Sequence, residues 1–133
     1  MEELIKKLLS EYPQCVLKAE LFHTSKASGD EARTTAQLDA AKRKVEFIDT
    51  LLNSLKEMEQ FVIRYRLIEG MTWPQVLKEG EKQYGQEARF SQSTLSRYQK
   101  NALKKITELV LQYRELTMQV FAEAADFLSD ENI

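Results

Sequence analysis

Apolar residues recur at helical spacings of three and four along almost the whole chain. Strand-like alternation extends no further than Phe61-Val62-Ile63, which suits a helix equally well. Leu4, Ile5, Leu8 and Leu9 predict a short first helix ending near Tyr12-Pro13, and Val16, Leu17, Leu21 and Phe22 predict a second short one. His23 to Asp30 is small, polar and Gly-containing, and reads as a loop. From about Glu31 to Asn53 a long amphipathic helix follows. Leu38, Val45 and Leu52 repeat every seven residues, as do Ala41, Ile48 and Leu55. That coiled-coil-like seam meets either the first helices or a second subunit.

The next helix runs from Lys56 to Glu69 and stops at Gly70, a C′ glycine. Thr72 then reads as an N-cap with Pro74 in the first turn, where its missing N–H costs nothing. Gly80 and Gly85 bracket a polar segment, Glu81 to Arg89. Ser91 or Ser93 caps a last helix that meets no breaker before Phe127. Along it Ile106, Tyr113, Val120 and Phe127 lie seven apart, as do Ala102, Leu109 and Leu116. A lone helix of that length is marginal in water, so the stripe should have a partner. Either it folds back on the 31–53 helix, or it forms a homodimer through Ile106, Leu109, Tyr113, Leu116, Val120 and Phe127. The homodimer is the preferred expectation.

Composition supports an all-α fold. Ala, Leu, Glu, Lys and Gln dominate the 133 residues, with only four Gly and two Pro. The expected organisation is a helical and oligomerising part (1–55), a helix-turn-helix (56–107) and a helical extension with an acidic tail (108–133). A net charge of −2 excludes bulk electrostatic coating by nucleic acid, but the charge is unevenly placed. Arg89 to Thr107 holds five Lys or Arg and no acid, whereas Glu108 to Ile133 holds six acids against one Arg. The single Cys15 excludes an intramolecular disulfide and fits a reducing cytoplasm. No signal peptide or membrane span is evident.

The basic stretch carries the candidate chemistry. A helix with Gln, Ser, Thr and Arg on one face and Leu95, Ala102, Leu103 and Ile106 elsewhere packs on a small core while offering hydrogen bonds to base edges. The candidate base-reading residues are Gln92, Ser93, Thr94, Ser96, Arg97, Gln99 and Lys100. Thr72, Trp73, Gln75, Arg89, Lys104 and Lys105 are the candidate phosphate contacts. Several have a plainer role open to them, whereas Arg97, a charge amid Ser, Thr and Gln, has little core purpose. Ser91, Ser93 and Thr94 suit capping, Lys104 and Lys105 a solvated face, and Trp73 a core position. Arg64 and Arg66 are assigned to the surface. Leu95, Ala102, Leu103, Val76 and Leu77 should hold the two helices together.

From Met58 to Ile106 the chain resembles region 4 of bacterial sigma factors and the sigma-like regulators of phages and prophages. Glu59, Val62, Arg64, Tyr65 and Arg66, the corner Glu69-Gly70-Met71-Thr72-Trp73, Val76-Leu77, and Ser91-Gln92-Ser93-Thr94-Leu95-Ser96-Arg97 leading into Ala102-Leu103-Lys104-Lys105-Ile106 carry the likeness. The Glu11-Tyr12-Pro13 corner and the upstream helical segment also look like small phage late-gene activators of the RinA and ArpU type. The resemblance implies a double-stranded-DNA-binding transcription regulator, an activator working with RNA polymerase. Lys78 to Phe90 departs from the pattern, being about two helical turns longer than the motif needs. Either the scaffold helix is longer or the turn carries an extra loop.

No catalytic constellation is present. His23 lies in the predicted loop, Cys15 has no basic neighbour in sequence, and no Gly-rich phosphate loop occurs, so neither an enzyme nor a cofactor nor a metal site is expected. Nor is a small-molecule ligand evident. Residues 1–55 lack the aromatic-rich basic helix with which a sigma factor melts promoters. Two alternatives stand beside the regulator: a small terminase subunit recognising a packaging site, and a helical adaptor for polymerase that binds no DNA.

Overall fold

The computed structural model describes residues 1–24, 31–86 and 90–128, and every regular element within them is helical. The fold is all-α. Helices α1 (Glu2–Thr24) and α2 (Glu31–Asn53) form an antiparallel hairpin. Tyr12 of α1 donates its hydroxyl to Asp49 of α2 at 2.6 Å, while Cys15, further along α1, lies within electrostatic reach of Lys44, earlier on α2.

α1 corrects the expected break at Tyr12-Pro13. It passes straight through Pro13, so Val16, Leu17 and Leu21 belong to the same helix as Leu4. Proline forfeits one backbone hydrogen bond and crowds the preceding turn. Here it sits on the exposed side, while Leu4, Ile5, Leu8, Leu9 and Cys15 are buried along the other side. The continuous buried stripe outweighs the local break. His23 and Thr24 lie in the last turn of α1; the rest of the predicted loop, 25–30, lies outside the described residues.

α2 covers the residues expected of the long amphipathic helix, about Glu31 to Asn53. Leu38, Ala41, Ile48, Leu52 and Leu55 are buried within the chain itself and Val45 is half-buried. The seam therefore packs intramolecularly.

α3 (Glu57–Val62) runs without interruption into a π-helical stretch, Ile63–Ile68. α4 (Trp73–Tyr84) and α5 (Gln92–Gln112) follow. After α5 the chain does not continue as one helix to Phe127. It leaves helical geometry at Tyr113 (φ −112°, ψ 40°), forms α6 (Arg114–Val120), leaves it again at Phe121 (φ −123°, ψ 103°), and ends in a 3₁₀ turn (Ala122–Ala124) and α7 (Ala125–Leu128).

The buried stripe leaves the expected register within α5, at Val110, and keeps the new one across the two breaks. Leu109, Val120 and Phe127 are only half-buried, and Tyr113 and Leu116 are about half exposed. The fully buried positions are Ile106, Val110, Thr117, Phe121, Ala124 and Leu128. After Ile106 the core thus lies on a set of positions displaced by one residue from the heptads. Thr117 fits that position because its hydroxyl donates to the Tyr113 carbonyl at 2.9 Å. Phe121 packs edge-on against Phe47 of α2, with centroids 5.6 Å apart, and Lys44 lies 5.5 Å from the centre of its ring. Burying Phe121 and Leu128 contributes about 1.5–3 kcal/mol each, more than the one or two helical hydrogen bonds lost at the breaks, about 1 kcal/mol each.

The chain therefore has one main core drawn from α1, α2, the π-helical stretch, α5 and the C-terminal elements. The segment 108–128 is part of that core rather than an extension from it. A smaller cluster, Phe61, Val62, Val76 and Leu95, joins α3, α4 and the start of α5.

Candidate nucleic-acid interface

The corner between the π-helical stretch and α4 is set by the backbone. Glu69 N–H bonds the Arg64 carbonyl at 2.8 Å, five residues back, and Met71 N–H bonds that of Tyr65 at 3.0 Å. Between them Gly70 takes φ +72°, the left-handed conformation that glycine adopts without penalty. Thr72 is the N-cap of α4, as its sequence position implies, and its N–H is taken by the Gln75 side chain at 2.9 Å. Gln75 thereby spends its carbonyl on the cap.

Arg66 ties the corner down. Its guanidinium donates to the Met71 carbonyl at 2.7 Å and lies 4.9 Å from the centre of the Trp73 ring. Trp73 is half-buried against the smaller cluster, so its ring serves packing and cation stacking. Thr72 and Gln75 remain exposed at the helix start.

α4 is the longer scaffold helix that the extra residues allow. It continues through Gly80, which is buried rather than in a turn. A β-carbon there would stand 3.0 Å from the Phe90 ring, so glycine leaves room for Phe90 to lie on the helix. Phe90 also packs edge-on against Tyr84, at 5.8 Å. Gly85, with φ +85°, ends α4. Arg89, a predicted phosphate contact, lies outside the described residues.

α5 starts at Ser91, whose hydroxyl accepts the Thr94 N–H at 3.2 Å. The Ser93 and Thr94 hydroxyls also lie within 3.2 Å and 2.9 Å of it, forming a small hydroxyl cluster at the cap. Leu95, Ala102, Leu103, Ile106 and Val110 lock one side of the helix into the fold. At about 100° per residue, the opposite side carries Ser93, Arg97, Lys100, Asn101 and Lys104, all exposed. Gln92 is exposed at the first position, and Thr94 and Ser96 are half-buried at the edges. Ser93, Arg97, Lys100 and Lys104 thus share one outward face.

Two predicted site residues are corrected. Gln99 lies in the inward stripe with Leu95, Ala102 and Ile106, and its side-chain oxygen is buried without a hydrogen-bond partner. It faces the core and is not placed to read a base. Lys105 is engaged with Glu59 of α3, at 2.8 and 3.1 Å to its two oxygens, and is not free for a phosphate. Glu59 is 2% exposed and also accepts the Lys56 N–H at 3.0 Å, at the head of α3. Burial alone would raise its pKa. The Lys105 ammonium and the Lys56 amide outweigh burial and hold the carboxyl below its ordinary value. The available signal for Glu59 was its position three residues after the N-cap of α3, where a carboxylate caps the helix start.

Arg64 is likewise more than a surface group. It lies within electrostatic reach of Tyr12, whose hydroxyl is pushed up by burial and by Asp49 and lowered in part by Arg64. The π-helical stretch that carries Arg64 packs against α1, with Ile63 and Ile68 in the same core as Leu4 and Leu8. Cys15 is buried, which pushes its thiol up and leaves it a poor nucleophile. Among the described residues no helix is long and apolar enough to cross a membrane.

The fold and this face together define an all-α protein with a cation-bearing, acid-free helix start held rigidly against a scaffold helix. Comparison with protein-family models, with curated proteins and with solved structures finds no match to this chain.

Proposed function

We propose that the protein is a cytoplasmic, sequence-specific double-stranded-DNA-binding transcription regulator of phage or prophage type, an activator acting with RNA polymerase. The observation that carries this reading is the outward face of α5. Ser93, Arg97, Lys100 and Lys104 stand exposed along three turns with no acid between residues 90 and 107, while the other side is fixed in the core. On this reading Arg97 forks onto a guanine, Gln92 addresses an adenine and Lys104 sits on a phosphate. Thr72 and the exposed start of α4 would lie near the backbone beside them.

The test is duplex binding as a function of salt. The wild-type chain should bind a mixed-sequence duplex with a log–log salt slope that falls by about one when Lys104 is replaced by Ala. No binding at low salt would sink the proposal.

A second reading rests on a different observation. An open groove of about 730 Å³ lies between α2 and the α5–α6 break, lined by Phe47, Leu51, Leu109, Tyr113, Leu116 and Val120. Tyr113 and Leu116 are about half exposed there. An apolar trough of this kind suits a helical adaptor that docks a protein partner, or a second copy of this chain. Leu116→Ser should then abolish the association while the single chain stays folded.

A further inference from the structure

We propose that Asn101 is a base-reading residue and that it addresses an adenine in the major groove; this rests on the DNA-binding reading of α5. Asn101 follows Arg97 by four residues, so the two side chains emerge about 40° apart around the helix and about 6 Å apart along it. Both are exposed, and Lys100 and Lys104 flank them on the same face.

Asparagine is a poor choice for the middle of an exposed helix, because its short amide competes with the backbone. Such residues are tolerated where the side chain finds a compensating bond. Here it finds none: among the described residues the Asn101 amide makes no hydrogen bond. Of the two glutamines that the sequence alone puts on the reading face, Gln92 stands at the first position of α5 and Gln99 turns its side-chain oxygen inward. Asn101 is thus the amide beside Arg97 on the outward face.

A carboxamide matches adenine in both directions, its oxygen accepting from the N6 amino group and its nitrogen donating to N7. The 6 Å step from Arg97 corresponds to about two base pairs at 3.4 Å each. With Arg97 on a guanine, Asn101 selects an adenine about two base pairs away.

The experiment uses the full chain and duplexes selected by it from a random pool at fixed salt. The selection is then repeated with Asn101→Ala and Asn101→Asp. Expected for Asn101→Ala is loss of preference at one A·T pair, with affinity for the wild-type motif down about 5- to 150-fold and affinity for random duplex unchanged. Its thermal midpoint should be equal or higher, since Ala is the better helix former. Asn101→Asp, which accepts but cannot donate, should move that position from adenine towards cytosine. If Asn101→Ala selects the unchanged motif, or loses specific and random DNA equally, the assignment is overturned while the DNA reading stands. If the wild-type chain selects no motif, the DNA reading itself fails.

Discussion

Lys105 of α5 reaches across to Glu59 of α3, its ammonium 2.8 and 3.1 Å from the two carboxylate oxygens. The contact is asymmetric: the Glu59 side chain is 3% exposed and that of Lys105 39%. It ties α5 to α3 and engages one cation of the basic stretch. Lys105→Met should leave the buried carboxylate with the Lys56 amide alone and lower stability by about 2 kcal/mol. Urea unfolding checks this. The same variant should leave the salt slope of DNA binding unchanged, in contrast to Lys104→Ala.

The pair also predicts a pH dependence. The Glu59 carboxyl is held below its ordinary value of 4.5 in the folded chain. A depressed folded-state pKa gives stability that is present above the unfolded value and lost as pH falls through the folded one. Wild type should therefore lose its advantage over Glu59→Gln as pH drops below about 4.5. Unfolding free energies of both proteins between pH 7 and 3 decide it; a constant difference contradicts the account.

Much of this architecture is legible in the sequence, and the failures have physical causes. Seven-residue spacing reveals α2 as one long helix, and Gly70, Thr72 and Ser91 mark helix ends because caps are local chemistry. Pro13 misleads because its cost is local whereas the stripe it interrupts is buried over the whole hairpin. Tyr113 and Phe121 break the last helix with no Gly or Pro beside them, so only the tertiary demand to bury Phe121 and Leu128 reveals it. At the candidate site, the outward placing of Arg97, Lys100 and Lys104 follows from periodicity. The inward turn of the Gln99 oxygen and the pairing of Lys105 with Glu59 are not legible there, because long polar side chains choose their partners in the tertiary fold.

The register shift after Ile106 is testable by two substitutions five residues apart. Phe121→Ala should cost about 3–5 kcal/mol, since the ring is fully buried against Phe47. Leu116→Ser, at a half-exposed position that the heptads would put in the seam, should change the stability of the single chain by only about 0.5 kcal/mol. Chemical denaturation at low protein concentration measures both.

Gly80 offers a test of how α5 is positioned. A valine there must push Phe90 from its seat on α4 and should destabilise the fold by about 1–3 kcal/mol. Phe90 stands just before the Ser91 cap, so the variant should also weaken duplex binding at temperatures where it remains folded.

Arg97→Ala should relax preference at one base pair, at a cost of about 1–3 kcal/mol on the cognate duplex and much less on random DNA. Competition binding with the two duplexes at one salt concentration gives the ratio. Equal loss on both would place Arg97 on a phosphate.

The central claim is that the outward face of α5 reads base pairs, and selection of duplexes from a random pool at fixed, stated salt tests it most directly. The account predicts enrichment of a motif containing a G·C pair whose selection disappears with Arg97→Ala. A folded, monodisperse chain that enriches no motif would contradict it.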